Sequence, residues 1–276
     1  MRMPADQLLS CLLFLLAAHL IVGATNCGAQ EVFILEGDAS VTLEGMLLDS
    51  RGVAVDQDGH VFVADTSKQL VRMYLPDGTP ATVFGREWVD GYEDGSPARA
   101  RFSLPFRAAI GPDGHLFVAD GKHRIRRIDA ATRETTTAAS LVSGVDASAV
   151  LHILDLAVEN RGILRNMVIG DMAVHPNGDI YVTASDSRLV QLYLVRIRGD
   201  SKQAIATSRD DPSSGGARGL TIDRNGDVFA IFPNERGGES VFKFPGGDTA
   251  GFTEHFRDIY VYRAMGAGLG DRLYLA

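Results

Sequence analysis

The sequence is poor in cysteine and tryptophan and lacks the motifs of several common enzyme classes. Of its 276 residues two are cysteines, Cys11 and Cys27, and both lie before residue 30. The rest of the chain can therefore form neither a disulfide framework nor a cysteine-based metal site. It contains no phosphate-binding loop, dinucleotide-binding glycine pattern or Gly-x-Ser-x-Gly nucleophile turn. The net charge of −8 argues against nucleic acid as a partner.

Long apolar runs are also missing, apart from one short run at residues 8–22. It follows Arg2 and precedes small residues, which is the pattern of a secretory signal peptide cleaved after Ala24, or as late as Ala29. A stable membrane span needs about 20 apolar residues, so none is expected beyond this segment, although an uncleaved anchor is the alternative. We therefore predict a signal peptide at 1–24, a secreted or extracytoplasmic protein, and one domain over 30–276.

The main feature that is present is a repeated hairpin. In its first copy, residues 51–65, an apolar arm, an Asp-x-Asp-Gly turn and an alternating Val/Phe/Val arm predict two short strands. The aligned turn glycines of the five copies are Gly59, Gly114, Gly178, Gly226 and Gly270. A single hairpin is marginally stable in water, so each copy must bury its apolar face against its neighbours. Further strands at 70–75 and 81–84 complete a four-stranded unit, and the spacing is typical of a propeller blade.

These residues resemble the NHL-repeat family of β-propellers. The resemblance lies in residues 52–56, 61–65 and 116–128, and residues 94–105 resemble the linker between blades of secreted NHL proteins. It is strongest over residues 51–132. The resemblance implies an all-β, NHL-type propeller, and it specifies the fold much better than the function.

The ends of the sequence predict how the ring closes. Residues 31–45 resemble the outer half of the first blade, and the last copy stops at Ala276, where its own outer strands would begin. We expect the N-terminal strands to complete the last blade, which removes an exposed edge. This gives five blades, with six possible from the habit of the family. The wide interval before Gly178 predicts a short helical insertion near 145–160, because its apolar residues have helix-like spacing and Asp146 or Ser148 could cap it.

Charged residues precede each innermost strand of the predicted propeller. Radial stacking would gather them around one mouth of the central channel, on the face opposite the Asp-Gly turns, here called the top face. The arginine fork suits carboxylate, sulfate or phosphate, so this mouth is a candidate site for a small anionic ligand. Its residues are Arg51, Arg107, Asp171, Arg218 and Arg263. In the alternative interpretation each arginine pairs with Asp65, Asp120 or a linker carboxylate and ties the blades together.

The first linker between blades supplies a second candidate. Trp88, Asp90 and Tyr92 form an aromatic and acidic tip, and exposed aromatic residues favour contact with a partner. Packing over the first two blades is the alternative. Residues 122–127 form a basic run, which we expect to be a solvated blade edge rather than a polyanion contact.

Metal sites receive weaker support from the sequence. Three histidines expected in or beside top-face loops could hold a zinc ion, namely His123, His152 and His255. Residues 56–59 and 223–227 look like fragments of a calcium loop, but neither has glutamate at the twelfth position, and turn chemistry explains both.

The function predicted first is therefore a noncatalytic, exported NHL-repeat propeller without a cofactor. It would bind a protein partner or a small anionic ligand on its top face. The alternative is a metal-dependent propeller enzyme, similar to a lactonase or an amidating lyase, with calcium or zinc. A purely structural domain that forms oligomers is the third possibility.

Overall fold

In a computed structural model, the described residues are 33–36, 39–42, 50–146, 151–152, 163–186, 191–209, 219–233, 238–259, 265–267 and 273–275. The chain divides into two compact units, Met1–Ala108 and Ala109–Ala276. Each unit is described by itself below. The predicted signal peptide and its cleavage sites lie outside the described residues.

The first unit contains a hairpin and a four-stranded antiparallel sheet. The hairpin is β1 (Phe33–Glu36) and β2 (Ala39–Thr42), and the sheet is β3 (Ser50–Val55), β4 (Val61–Asp65), β5 (Leu70–Tyr74) and β6 (Pro80–Phe84), in that order. The strands predicted at 70–75 and 81–84 are thus confirmed. All five residues of β4 are buried, whereas β6 is largely exposed, as expected of an inner and an edge strand.

The turn between β3 and β4 shows why the hairpin motif needs its Asp and Gly. The Asp56 carboxylate accepts the backbone N–H groups of Asp58 and His60, at 3.0 and 2.8 Å. Gly59 closes the turn through its N–H to the Asp56 carbonyl and has φ +81°, in the left-handed region that glycine adopts readily. The predicted turn chemistry is confirmed here, and Asp223 accepts the N–H groups of Asn225 and Asp227 in the same way.

The second unit holds the remaining strands, except that β7 begins before residue 109. A four-stranded sheet comprises β7 (Pro105–Ile110), β8 (Leu116–Asp120), β9 (Arg124–Ile128) and β10 (Thr135–Ser140). Three short strands follow, β11 (Val145–Asp146), β12 (Leu151–His152) and β13 (Ile163–Leu164). The next sheet is built on β14 (Val168–Val174), β15 (Ile180–Asp186), β16 (Gln191–Arg198) and β17 (Ser201–Arg209).

The chain ends with one more sheet and a hairpin. The sheet comprises β18 (Leu220–Ile222), β19 (Val228–Pro233), β20 (Glu239–Phe244) and β21 (Thr253–Ile259), with a 3-10 turn at Pro245–Gly247. The hairpin is β22 (Met265–Ala267) paired with β23 (Leu273–Leu275). All five predicted hairpins therefore form. The completion of the last blade by the N-terminal strands and the number of blades stay predictions.

The predicted helix at 145–160 is wrong at the four residues that the structure describes there. β11 and β12 run parallel to β17, and β13 pairs with β11. Short apolar runs do not distinguish helix from strand by spacing alone, and the outer edge of β17 offers unpaired backbone groups that a neighbouring segment can satisfy. Residues 147–150 and 153–160 lie outside the described residues.

Contacts in the second unit follow the order of the hairpins. β14 packs against β8 and β18, and β18 packs against β22. A hydrophobic core lies between the sheets of β14–β17 and β18–β21 and includes Tyr181, Leu194, Phe232 and Phe244. The first strands of successive sheets are thus neighbours, which is the arrangement that the repeated hairpins predict.

Candidate functional site

Strand register places the first linker and Arg51 at the same end of the sheet β3–β6. Ser50 pairs with Asp65, and Phe84 pairs with Val71, so the start of β3 and the end of β6 lie together. The Asp56–Gly59 turn lies at the other end. The linker, residues 85–104, therefore emerges on the top face of the first unit, as the sequence predicts.

Backbone hydrogen bonds hold the linker in a defined conformation. The N–H of Gly85 donates to the carbonyl of Pro97 at 2.9 Å, and that of Gly91 donates to the carbonyl of Phe102 at 3.1 Å. A parallel bridge joins Asp90 to Phe102, whose ring is completely buried. The N–H of Trp88 donates to the Lys68 carbonyl at 3.2 Å, which ties the loop to the sheet. A loop with this many internal bonds is preorganised for contact with another molecule.

The aromatic side chains of this loop point largely into solvent. Trp88 is 61% exposed and Tyr92 is 40% exposed, and Asp90 between them is exposed as well. Trp88 also has φ +61°, a left-handed conformation that bulky residues rarely adopt. The alternative prediction, that this tip packs over the blades, does not describe Trp88.

Three cations close to the tip in the sequence or the sheet already have partners in the first unit. Lys68 is buried and its ammonium lies 3.1 Å from the Glu87 carboxylate. Arg99 donates to Glu93 at 2.8 Å, and Arg101 donates to three backbone carbonyls of residues 98–100.

Two of the predicted mouth arginines are neighbours in the first unit. Arg107 donates from Nη1 to the Arg51 carbonyl at 3.0 Å, and its guanidinium lies 5.9 Å from the centre of the Phe106 ring. This proximity needs Gly52, because a Cβ at that position would lie 2.7 Å from the Arg107 Cα. Arg51 is exposed and Arg107 is half-buried. Arg218 and Arg263 lie outside the described residues.

Asp171, the acidic member of the predicted mouth, binds backbone groups within the second unit. It is buried, and its carboxylate accepts the N–H of Met172 at 2.8 Å and the N–H of Leu220 at 3.0 Å. The second bond joins β14 to the start of β18. Asp171 therefore satisfies the backbone of two strands, a role that its place in the aligned repeat did not reveal.

The sequence analysis named Asp65 and Asp120 as possible partners of the mouth arginines but missed the third-strand arginines with which they form buried ion pairs. Asp65 at the end of β4 pairs with Arg72 at 3.1 Å, and Asp120 at the end of β8 pairs with Arg126 at 3.0 Å. The expectation of a solvated basic run fails at Arg126, which is fully buried because alternation along the inner strand β9 turns it towards Asp120. Burial raises the pKa of Asp65 above its usual value, against the opposing effects of Arg72 and Lys68. The sequence did carry a signal for these pairs, because in each of the first two copies an aspartate ends one strand and an arginine lies within the next.

The three candidate zinc ligands are not brought into one cluster by the described contacts. His123 lies between β8 and β9, and its Nδ1 is 2.8 Å from the Met167 carbonyl oxygen. His255 lies within β21 rather than in a loop, with its exposed ring 5.4 Å from that of Phe229. His152 belongs to β12, and its side chain lies outside the described residues.

A different set of possible ligands lies in the first Asp-Gly turn. Ligand atoms of Asp56, Asp58 and His60 lie within 4.8 Å of one another, the one such group among the residues that the structure describes. One oxygen of Asp56 accepts two backbone N–H groups, and the other lies 2.9 Å from His60 Nδ1. Hydrogen bonds within the hairpin turn thus account for both oxygens of Asp56.

Comparisons with known proteins bear on the fold. No protein-family model matches the chain, and a search of curated protein sequences finds no match. Among solved structures, the chain is similar to a gluconolactonase from Xanthomonas campestris, with 15% identity and a TM-score of 0.56 over 94% of this chain and 82% of that one. It is also similar to a streptogramin B lyase, with 13% identity and a TM-score of 0.53 over 90% of this chain and 70% of that one.

A third similar structure is regucalcin from Agrobacterium tumefaciens, described as a calcium-binding protein. It has 11% identity and a TM-score of 0.51 over 83% of this chain and 68% of that one. At these identities the likeness shows the fold alone. Together with the all-β sheets, it shows that the chain is a β-propeller, as the sequence predicts. Within the described part of the chain, no helix has the length and hydrophobicity that a membrane span requires.

Proposed function

We propose that this chain is an exported β-propeller that recognises a protein partner through its first linker, without catalysing a reaction. The observation on which the proposal depends is the exposure of Trp88 and Tyr92 on a loop that backbone bonds already hold in place. Aromatic residues supply much of the contact energy of protein interfaces, and an ordered loop loses little conformational entropy on binding. Export is supported by the apolar run at residues 8–22.

Arg51 and Arg107 support a second binding function, the recognition of a small anion. The hydrogen bond from the Arg107 guanidinium to the Arg51 carbonyl brings the starts of β3 and β7 together at one end of the first unit. Inorganic sulfate is the simplest probe. We expect it to raise the thermal midpoint of the protein by mass action, and we expect Arg51→Met to reduce this rise.

A metal-dependent enzyme of the lactonase or lyase type is the second candidate function. The similar folds favour it at least as well as the binder, because a gluconolactonase and a lyase are among them. In the described residues, however, the carboxylate of Asp171 is occupied by two backbone N–H groups. The Asp56, Asp58 and His60 group lies at the end of the sheet opposite the linker.

Metal analysis combined with a lactone assay distinguishes the two functions. The full chain would be purified without chelator, its calcium, magnesium and zinc measured, and hydrolysis of gluconolactone followed with and without each added ion. The binder predicts no stoichiometric metal and hydrolysis at the rate of buffer alone. A stoichiometric metal together with metal-dependent hydrolysis would replace the proposed function by the enzyme.

A further inference from the structure

We infer that the linker tip, formed by Trp88, Asp90 and Tyr92, binds a cationic segment of the partner. An arginine or lysine side chain of that segment would lie over an aromatic ring with its charge beside Asp90. The inference depends on the proposed function and adds to it the chemical class of the partner.

The first support is the charge of the tip. Residues 86–94 contain one arginine, Arg86, and four carboxylates, those of Glu87, Asp90, Glu93 and Asp94. Glu87 and Glu93 already have cations, Lys68 and Arg99. Asp90 is exposed, and its side chain has no hydrogen bond or ion pair with any residue that the structure describes. Its charge is therefore available to a basic partner.

The second support is the pair of exposed aromatic residues next to that charge in the sequence. A cation is attracted to the face of an aromatic ring within about 6 Å of its centre, and tryptophan is the most effective ring. Trp88 and Tyr92 flank Asp90 in the sequence, and both are exposed. Trp88 also stands at φ +61°, where Gly or Asn would be less strained, so the ring is present at a place that backbone preference disfavours.

These two features together select a basic partner over an acidic or an apolar one. An acidic segment would be repelled by the carboxylates, and an apolar segment would remove Asp90 from water without a compensating charge. Arginine can interact with both features, because it stacks on aromatic rings and forms paired hydrogen bonds with carboxylates.

The chain contains one tryptophan, so its fluorescence reports on this site directly. The full chain would be titrated with an Arg-Gly-Arg-Gly-Arg amide and with matched glutamine and glutamate peptides at low salt. We expect a saturable change in Trp88 fluorescence with the arginine peptide alone. Asp90→Asn should weaken that binding about tenfold, the loss of one charge-assisted contact. The control is Asp58→Asn, which removes an exposed carboxylate at the other end of the same sheet and should leave binding unchanged.

A second measurement needs no ligand. With each ion normalised to its quenching of free N-acetyltryptophanamide, caesium should quench Trp88 fluorescence more efficiently than iodide, and Asp90→Asn should reduce this difference while Asp58→Asn does not. Equal binding of arginine and glutamine peptides, or equal binding by the Asp90→Asn variant, would overturn the inference. So would a Trp88 signal that responds to none of the peptides. The proposed function is judged separately, by the metal and lactone measurements, so the two can fail independently.

Discussion

At the scale of single residues, each of the first two blades contains a buried pair of opposite charges, an aspartate with an arginine. Asp120 and Arg126 are both completely buried, with 3.0 Å between their charged atoms. Such a pair contributes little over two apolar residues, but either member alone is left as a buried charge without its main partner. Loss of one member of the pair should therefore destabilise the protein more than replacement of both by apolar residues.

Arg126→Leu should lower the free energy of unfolding by about 3 kcal/mol, since it leaves the Asp120 carboxylate buried without this partner. The double variant Asp120→Leu with Arg126→Leu should recover part of that loss. Urea unfolding followed by circular dichroism measures both.

The control for this prediction is Arg99→Leu, because both members of its pair with Glu93 are exposed, at 71% and 48%. An exposed pair contributes at most about 1 kcal/mol. Equal losses for Arg126→Leu and Arg99→Leu would contradict the account of the buried pair.

At the scale of elements, side chains that accept backbone N–H groups fix the turns. In the turn between β9 and β10, Asp129 accepts the N–H groups of Ala131 and Thr132, at 3.0 and 2.9 Å, and the guanidinium of Arg127 at 3.0 Å. The hydrogen bond from Thr132 is the main cause that lowers the pKa of Asp129 from 3.8 to about 2. The stability that this turn contributes to the fold therefore depends on pH.

The sign of this linkage follows from the lowered pKa. The folded state binds the proton of Asp129 less readily than the unfolded chain, so its contribution to stability is present above pH 3.8 and is lost as the pH falls towards about 2. In Asp129→Asn the amide oxygen still accepts N–H groups but does not titrate. We expect this variant to be less stable than the wild type at neutral pH and to approach it at about pH 2.

Urea midpoints of the two proteins, measured from neutral pH down to about pH 2, test this expectation. Glu134→Gln, an exposed charge change in the same turn, serves as the control. A difference between wild type and Asp129→Asn that stays constant over the whole range would show that Asp129 does not produce the linkage.

At the scale of the whole molecule, the sequence predicts that the N-terminal strands complete the last blade. The structure shows β1 with β2 and β22 with β23 as two hairpins, each a two-stranded sheet. A two-stranded hairpin is marginally stable by itself, so each needs a further partner. Completion of the blade would supply one to both.

Deletion of residues 31–45 should therefore weaken the far end of the chain. We expect the backbone amides of β22 and β23 to exchange with solvent faster in the deletion variant, because the deletion removes the strands predicted to complete their sheet. Hydrogen exchange with mass spectrometry measures this, and the amides of β4 serve as an internal comparison of overall stability. Unchanged exchange in β22 and β23 would show that the ring closes in another way.

The propeller and its hairpins could be predicted because they depend on local patterns. The Asp-Gly turns and the alternating apolar arms recur five times, and each encodes its own geometry through side-chain hydrogen bonds and glycine conformation. The sequence left open whether Trp88 and Tyr92 are exposed or pack over the blades, and only the structure shows them exposed. Likewise, the strands β11 and β12 depend on the edge of β17, about fifty residues further along the chain, which no local pattern encodes.

The sequence by itself determined the repeated hairpin, the turn chemistry and the acidic, cysteine-poor composition, because these depend on residue type and short-range spacing. Only the tertiary structure decided which charges are buried together. Asp171 binds the backbone of Leu220, forty-nine positions away, and Arg126 turns inward to Asp120, and both depend on how strands pack. Burial and partner choice are set by the neighbours that folding brings together, and residue type alone does not name those neighbours.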